Sequence, residues 1–168
     1  MGKKLWEASK NKKTNSNLYA YEKFISKKFN LKLDHNYNKI LNWSIKNSGK
    51  FWSSIWDYCK IKGTKSNIEL IVSKIFYKNF FLPKSKLNFA ENLITKNNKS
   101  KALTFISENG FREERNWLEL NNNVSKIIKF FNKIKLKKND RVAAYLPNFI
   151  ETVEAFLATS SLGAIWSS

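Results

Sequence analysis

Apolar residues recur at helical spacing in the first part of the chain and in short runs further on. Leu18, Tyr21, Ile25 and Phe29 fall on one face of a helix starting at Asn17, and Ile40, Leu41, Trp43 and Ile45 define a second helix over 37–47. Ser48-Gly49 reads as a break, after which Phe51, Trp52, Ile55, Trp56 and Cys59 return at helical spacing as far as Gly63. Such an aromatic stripe is expected to be core. Residues 1–16 are polar around Leu5-Trp6-Glu7 and read as an extended lead-in. The 68–82 segment fits helix or strand equally, with Pro83 the limit of either. Residues 87–94 read as helix, and 95–101 as a polar linker.

The pattern then changes. Ala102-Leu103-Thr104-Phe105-Ile106 predicts a strand, and Asn109-Gly110 a type I′ hairpin turn with positive φ at both central residues; 111–117 returns. Leu120, Val124, Ile127, Ile128, Phe131 and Ile134 form the stripe of one long helix, closed by lysines over 133–138 that suit a helix C-terminus. The run 141–146 is almost continuously apolar, as in a strand buried on both faces of a parallel sheet, and Pro147 stops it. Asn148 is placed to cap the next helix with Glu151 at its third position, and Gly163 to end it in the left-handed region. Ala164-Ile165-Trp166 opens another strand. This alternation predicts an α/β fold with a parallel sheet. The rhythm reaches Ser168 with a sheet edge still open, so a domain incomplete at its C-terminal side is expected.

Composition narrows the function classes. With 168 residues, 42% apolar and 15% aromatic, the chain has enough apolar surface to fold around a core. A net charge of +18 raises nucleic acid or an anionic membrane as a partner. However, only Arg112, Arg115 and Arg141 are arginines, and nucleic-acid surfaces exploit the bidentate guanidinium. Lysine is spread along the chain beside abundant asparagine (Asn121, Asn122 and Asn123 in a row), a joint excess expected of A+T-rich coding. No nucleic-acid partner is expected, with a basic nucleic-acid-binding module as the alternative. No apolar run approaches the roughly 18 residues of a membrane span. The first residues lack a signal-peptide core, and Trp6 stands where a myristoylation pattern needs Ser or Thr. With a single cysteine, a cytoplasmic protein without membrane partners is expected.

Candidate chemistry is sparse. Gly2, Gly49, Gly63, Gly110 and Gly163 are too far apart for a phosphate-cradling loop. His35, beside Asp34, lies in a polar connection, and sequence neighbours do not orient one another as a triad requires. Cys59 reads as a buried, inert thiol, and Glu113-Glu114 as exposed hairpin carboxylates. His35 and Cys59 cannot complete a four-ligand zinc site. No catalytic, cofactor-binding or metal-ligating residue is assigned.

Three segments in order, Asn116-Trp117-Leu118-Glu119-Leu120, the run from Asn139 to Asn148 (NDRVAAYLPN) and that from Leu157 to Ser168 (LATSSLGAIWSS), resemble the adenylate-forming acyl-CoA synthetases. Within that superfamily, Leu5-Trp6-Glu7, Phe51-Trp52-Ser53-Ser54-Ile55-Trp56-Asp57, the run from Leu87 to Ile94 and the ending from Gly163 to Ser168 are most similar to the acetoacetyl-CoA synthetase family. Ala8, where that family usually has Pro, and Asn139, where Gly is common, depart from the pattern. The resemblance implies a mainly helical cap over 1–100 and the beginning of the AMP-binding adenylating domain over 101–168. It also implies ATP, Mg2+ and CoA as cofactors and co-substrates, and acetoacetate as the acid, for a full-length enzyme. The phosphate loop, ribose-binding Asp, magnesium-associated Glu and adenylation Lys of the family correspond to positions after Ser168. The chain alone is therefore expected to be inactive and to bind none of these molecules. A synthetase for another short acyl acid, or a stand-alone structural remnant, are the further alternatives.

Overall fold

A computed structural model describes residues 5–168. The part of the expected lead-in that falls on residues 1–4 lies outside the described residues, as does the start of the segment compared with signal and myristoylation patterns. The chain divides into two compact units, one ending at Ser85 and the other running Lys86–Ser168.

The first unit is helical. A short helix α1 (Lys10–Thr14) replaces part of the expected extended lead-in, because the Ser9 hydroxyl accepts from the Lys12 amide and nucleates a turn. Helix α2 (Asn17–Phe29) begins where the spacing predicts, with Ser16 accepting from the Tyr19 amide. Helix α3 (Tyr37–Lys46) starts behind Asn36, whose side chain takes both the Asn38 and Lys39 amides. Helix α4 (Ser48–Tyr58) follows with Asn47 as the only joint. Ser48-Gly49 is thus not a break but the first turn of α4. Gly49 is glycine for another reason: a Cβ there would stand 3.1 Å from Leu70 Cβ and 3.2 Å from Glu69 Cβ, where the next element crosses the helix.

Tyr21, Ile25, Leu33 and Ile40 are buried at the centre, and Phe29, Trp43, Phe51, Ile55 and Tyr58 pack around them. Their rings meet in tilted and edge-to-face pairs, including Tyr21–Tyr58 at 5.2 Å and Phe29–Trp43 at 5.3 Å. The core face of α4 is therefore Phe51, Ser54, Ile55 and Tyr58. Cys59 is exposed, contrary to expectation, because it caps the C-terminus of α4 on the outer side of that face. Trp52 also points outward, its ring 6.0 Å from that of Phe81. The ambiguous segment resolves as a miniature antiparallel hairpin, β1 (Leu70–Ile71) and β2 (Phe80–Phe81), bridged by a single 3-10 turn over Phe76–Lys78.

The second unit is mixed α/β. Helix α5 (Phe89–Leu93) is shorter than the 87–94 stretch predicted, since Asn88 caps it and Ile94 ends it. Strands β3 (Lys101–Ile106) and β4 (Arg112–Asn116) pair antiparallel, with the register slipping by one residue at Ala102. Of the two turn residues only Gly110 has positive φ, +83°; the Gly110 amide reaches the Ser107 carbonyl, so the turn is longer than a two-residue type I′ connection. Helix α6 (Trp117–Lys133) opens with a reciprocal capping box between Asn116 and Glu119.

Strand β5 (Arg141–Ala143), helix α7 (Ile150–Ser161) and strand β6 (Ile165–Ser167) form a βαβ unit with β5 and β6 parallel, Val142 opposite Trp166. Strand β5 stops three residues short of the predicted run. Within it only Val142 packs on the core while Arg141 and Ala143 are exposed, so the strand is not buried on both faces, and Tyr145 and Leu146 beyond it are exposed too. Phe149, not Asn148, precedes α7; its ring packs edge-on against Phe105 at 5.3 Å, and this contact sets the start of the helix one residue later. Leu120, Val124 and Phe131 of α6 and Leu157 and Ala158 of α7 are buried with Ala90 of α5, the two alanines allowing the helices to approach closely. Ile134, the last residue of the predicted stripe, lies beyond the helix and is exposed.

Helices α4, α6 and α7 end alike. In α7 the Gly163 amide reaches the Ser160 carbonyl and the Ala164 amide the Thr159 carbonyl, with Gly163 at φ +69° as predicted. The same paired bonds close α6 through Lys135 at φ +61° and α4 through Lys60 at φ +53°. Lysine bears a Cβ cost there that glycine avoids. Lys135→Gly is therefore expected to stabilise the chain by about 0.5–1 kcal/mol, and Gly163→Ala to destabilise it by about 1 kcal/mol or more. Denaturant unfolding of the two variants checks both signs.

Candidate functional site

The most connected polar centre of the second unit is Arg115 on β4. Its guanidinium pairs with Glu113 at 2.6 Å and reaches two carboxylates of α7, Glu151 at 3.2 Å and Glu154 at 3.3 Å. Glu154 is buried, and the Asn123 side chain on α6 donates to it at 2.9 Å. A hairpin and two helices are thereby tied to one carboxylate. Burial alone would lower the Arg115 pKa, but the hydrogen bond it donates to Glu113 and the three nearby negative charges outweigh this and raise it. Sequence reasoning assigned Glu151 to a cap and overlooked Glu154. The available signal was a lone carboxylate on the apolar face of α7, between Ile150 and Leu157, which burial requires to be paired.

In the first unit, Glu22 on α2 is buried and accepts the His35 backbone amide at 2.7 Å, with the His35 ring nitrogen Nδ1 3.1 Å from its second oxygen. Tyr19 lies against the same imidazole, ring centres 4.4 Å apart. Asp34 and His35 both have positive φ, so the carboxylate holds a turn in the left-handed region. An open groove of about 470 Å³ runs beside it, lined by Leu18, Tyr19, Tyr37 and Ile40 with Lys10 and Lys13 at its margin.

Asp57 on α4 pairs with Lys28 of α2 and, at 2.6 Å, with Lys65, which also donates to the Ser53 carbonyl. Burial pushes the Asp57 pKa up, and hydrogen bonds and charge from the two lysines outweigh this and hold it below the usual carboxylate range. The buried Ser54 hydroxyl donates to the Phe51 carbonyl at 2.7 Å, which leaves it to accept from Tyr21 at 2.7 Å. Burial raises the Tyr21 pKa.

These centres hold elements together. The His35 imidazole is engaged by Glu22 and lies tilted against Tyr19, Cys59 lies exposed at a helix end, and Glu114 is occupied by Lys101 and Arg112. Glu113, expected to be exposed, is half-buried against Arg115. Among the described residues no three His, Cys, Asp or Glu side chains could hold a metal ion, and the carboxylates that do converge do so on a guanidinium. Gly110 and Gly163 serve single turns. The groupings seen among the described residues thus do not fit a magnesium–nucleotide site. Among them, no helix is long and apolar enough to cross a membrane.

Removing Arg115 strands Glu154, so Arg115→Ala is expected to cost about 2–3 kcal/mol, and Glu154→Gln in the same chain to recover most of it, read as a double-mutant cycle of unfolding free energies. For Asp57 the folded-state pKa lies below the unfolded value of about 3.9. Its contribution is therefore fully present above that pH and is lost as pH falls through the folded pKa. Asp57→Asn should cost about 1 kcal/mol at pH 7, and the difference from the parent should shrink progressively below about pH 4 in thermal unfolding.

Comparison with known proteins gives these units a context. No family model matches the chain. It is 37% identical over 132 residues to an acetoacetyl-coenzyme A synthetase of Rhizobium meliloti, covering 79% of this chain and 20% of that protein. An acetoacetyl-CoA synthetase of Danio rerio is 34% identical over 160 residues, covering 93% of this chain and 24% of that protein. A malonamoyl-CoA synthetase of Penicillium aethiopicum is 31% identical over 172 residues, covering 98% of this chain and 23% of that protein. The solved acetoacetyl-CoA synthetase of Streptomyces lividans, 21% identical, shares the fold over 99% of this chain and 26% of its own, with a TM-score of 0.86. The α/β fold with a helical leading segment, expected from the sequence, is thus the fold of that enzyme's corresponding quarter. On this similarity along most of its length, the chain belongs to the acetoacetyl-CoA synthetase family, spanning about a fifth to a quarter of the length of the relatives it matches.

Proposed function

We propose that this chain is the N-terminal framework of an acetoacetate–CoA ligase (AMP-forming). In the whole protein, acetoacetate and ATP give an acyl-adenylate and pyrophosphate, and the CoA thiol then displaces AMP. A carboxylate is a poor electrophile, whereas its mixed anhydride with AMP carries a good leaving group. Residues 1–100 form the helical cap and 101–168 open the adenylating domain. The observation that carries this reading is the identity to acetoacetyl-CoA synthetases along most of the chain. ATP, Mg2+ and CoA belong to the whole enzyme, as do a cytoplasmic location and the absence of nucleic-acid partners.

Within the reading, the residues of this chain have a positioning task. The Arg115–Glu154 pair fixes β3–β4 against α7, and α7 in turn sets the spacing of the parallel strands β5 and β6. Ligands of open parallel sheets gather beyond the carboxyl ends of such strands. A second reading, a ligase for another short acyl acid, is favoured by one observation: the malonamoyl-CoA synthetase matches 98% of the chain.

The whole protein is expected to release pyrophosphate in an acetoacetate-dependent manner, and the purified 168-residue chain to release none above the enzyme-free blank. Robust release by the chain alone would contradict the assignment of its residues to framework. Release by the whole protein with malonamate but not acetoacetate would favour the second reading.

A further inference from the structure

The hairpin of the first unit exposes more apolar surface than a solvated loop warrants. Phe76 is 90% exposed, Tyr77 78% and Val72 75%, and Ile75 and Phe80 are exposed beside them. All lie within nine residues. Exposed apolar side chains scattered singly are ordinary, but a contiguous cluster of this kind marks an interaction surface.

The backbone beneath is nonetheless ordered. Asn79 accepts the Ser73 amide at 2.7 Å across the tip, the Lys78 amide bonds the Ile75 carbonyl at 2.9 Å, and the Leu82 amide bonds the Glu69 carbonyl at 3.0 Å. At the base, the absence of a side chain at Gly49 lets Leu70 lie close on α4, and Phe81 meets Trp52. The tip is held in shape while its aromatic side chains cover little of their own unit. Preorganisation of this sort lowers the ordering cost of docking.

We propose that this hairpin docks onto the remainder of the synthetase, on a surface with an apolar centre and an acidic rim. The inference rests on the proposed function, because the relatives are four to five times as long as the stretch matched here and supply a body to dock against. Charge selects between occupants. Lys74 and Lys78 flank the apolar residues, both exposed, so self-pairing of two copies about this face would bring like charges together, whereas an acidic rim would be attracted. Phe76 and Tyr77 are the expected anchors, being large side chains that order at low entropic cost.

Hydrogen exchange on the whole synthetase and on the 168-residue chain tests this. Amides over 72–80 should exchange at least tenfold more slowly in the whole protein, at a rate independent of protein concentration, and Phe76→Asp with Tyr77→Asp should abolish that protection. Equal rates in the two proteins overturn the proposal. So does protection in the chain alone that rises with concentration, which would indicate a second copy, or protection that appears only with anionic vesicles. Acetoacetate-dependent pyrophosphate release is read separately on the unsubstituted protein. Its absence with the hairpin protected would overturn the ligase reading and leave the docking face standing.

Discussion

The second unit depends on one buried charge. Glu154 sits on the apolar side of α7, where an unpaired carboxylate would cost several kcal/mol, and is compensated by Arg115 from β4 and Asn123 from α6. Each partner comes from a different element. The pair is consequently less a source of net stability than a constraint on arrangement: β3–β4, α6 and α7 satisfy it only when packed as they are. Apolar contacts among Leu120, Val124, Phe131 and Leu157 supply the driving force, and the ion pair selects which packing they adopt.

The first unit uses the same device in smaller form. Glu22 leaves water to fix the left-handed turn at Asp34 and His35, Asp57 ties α4 to α2 through Lys28 and to the segment that follows through Lys65, and Tyr21 reaches Ser54 through the aromatic core. His35, weighed as possible chemistry in the sequence, is thus held by Glu22 as part of a turn. A framework role within a larger ligase agrees with this, since a ligase needs its sheet and loops held within a fraction of an ångström before any reacting group is added.

The legible parts of the fold were those governed by a single period. Helices α2, α3 and α6 follow 3.6-residue stripes, and β3, β6 and the Gly163 terminus follow local turn and strand chemistry. What escaped was set by contacts distant in sequence. Gly49 looks like a helix breaker until Leu70 crosses it, so close that a Cβ at this position would stand 3.1 Å from Leu70 Cβ. Cys59 shares a spacing with Phe51 and Ile55, but the helix ends at Tyr58 and leaves the thiol outside. Asn148 has the chemistry of a cap, yet packing of Phe149 on Phe105 starts α7 one residue later. The Arg115 network was written in the sequence only as an isolated Glu on an apolar face, and its partners could not be named before the fold was known.

The central claim is that these residues are the opening framework of a longer acetoacetate–CoA ligase. Its most direct test is to read the nucleotide sequence immediately downstream of the Ser168 codon. The account predicts that the frame stays open into a Ser/Thr/Gly-rich phosphate loop and the remaining synthetase segments. A stop codon directly after Ser168 would contradict it.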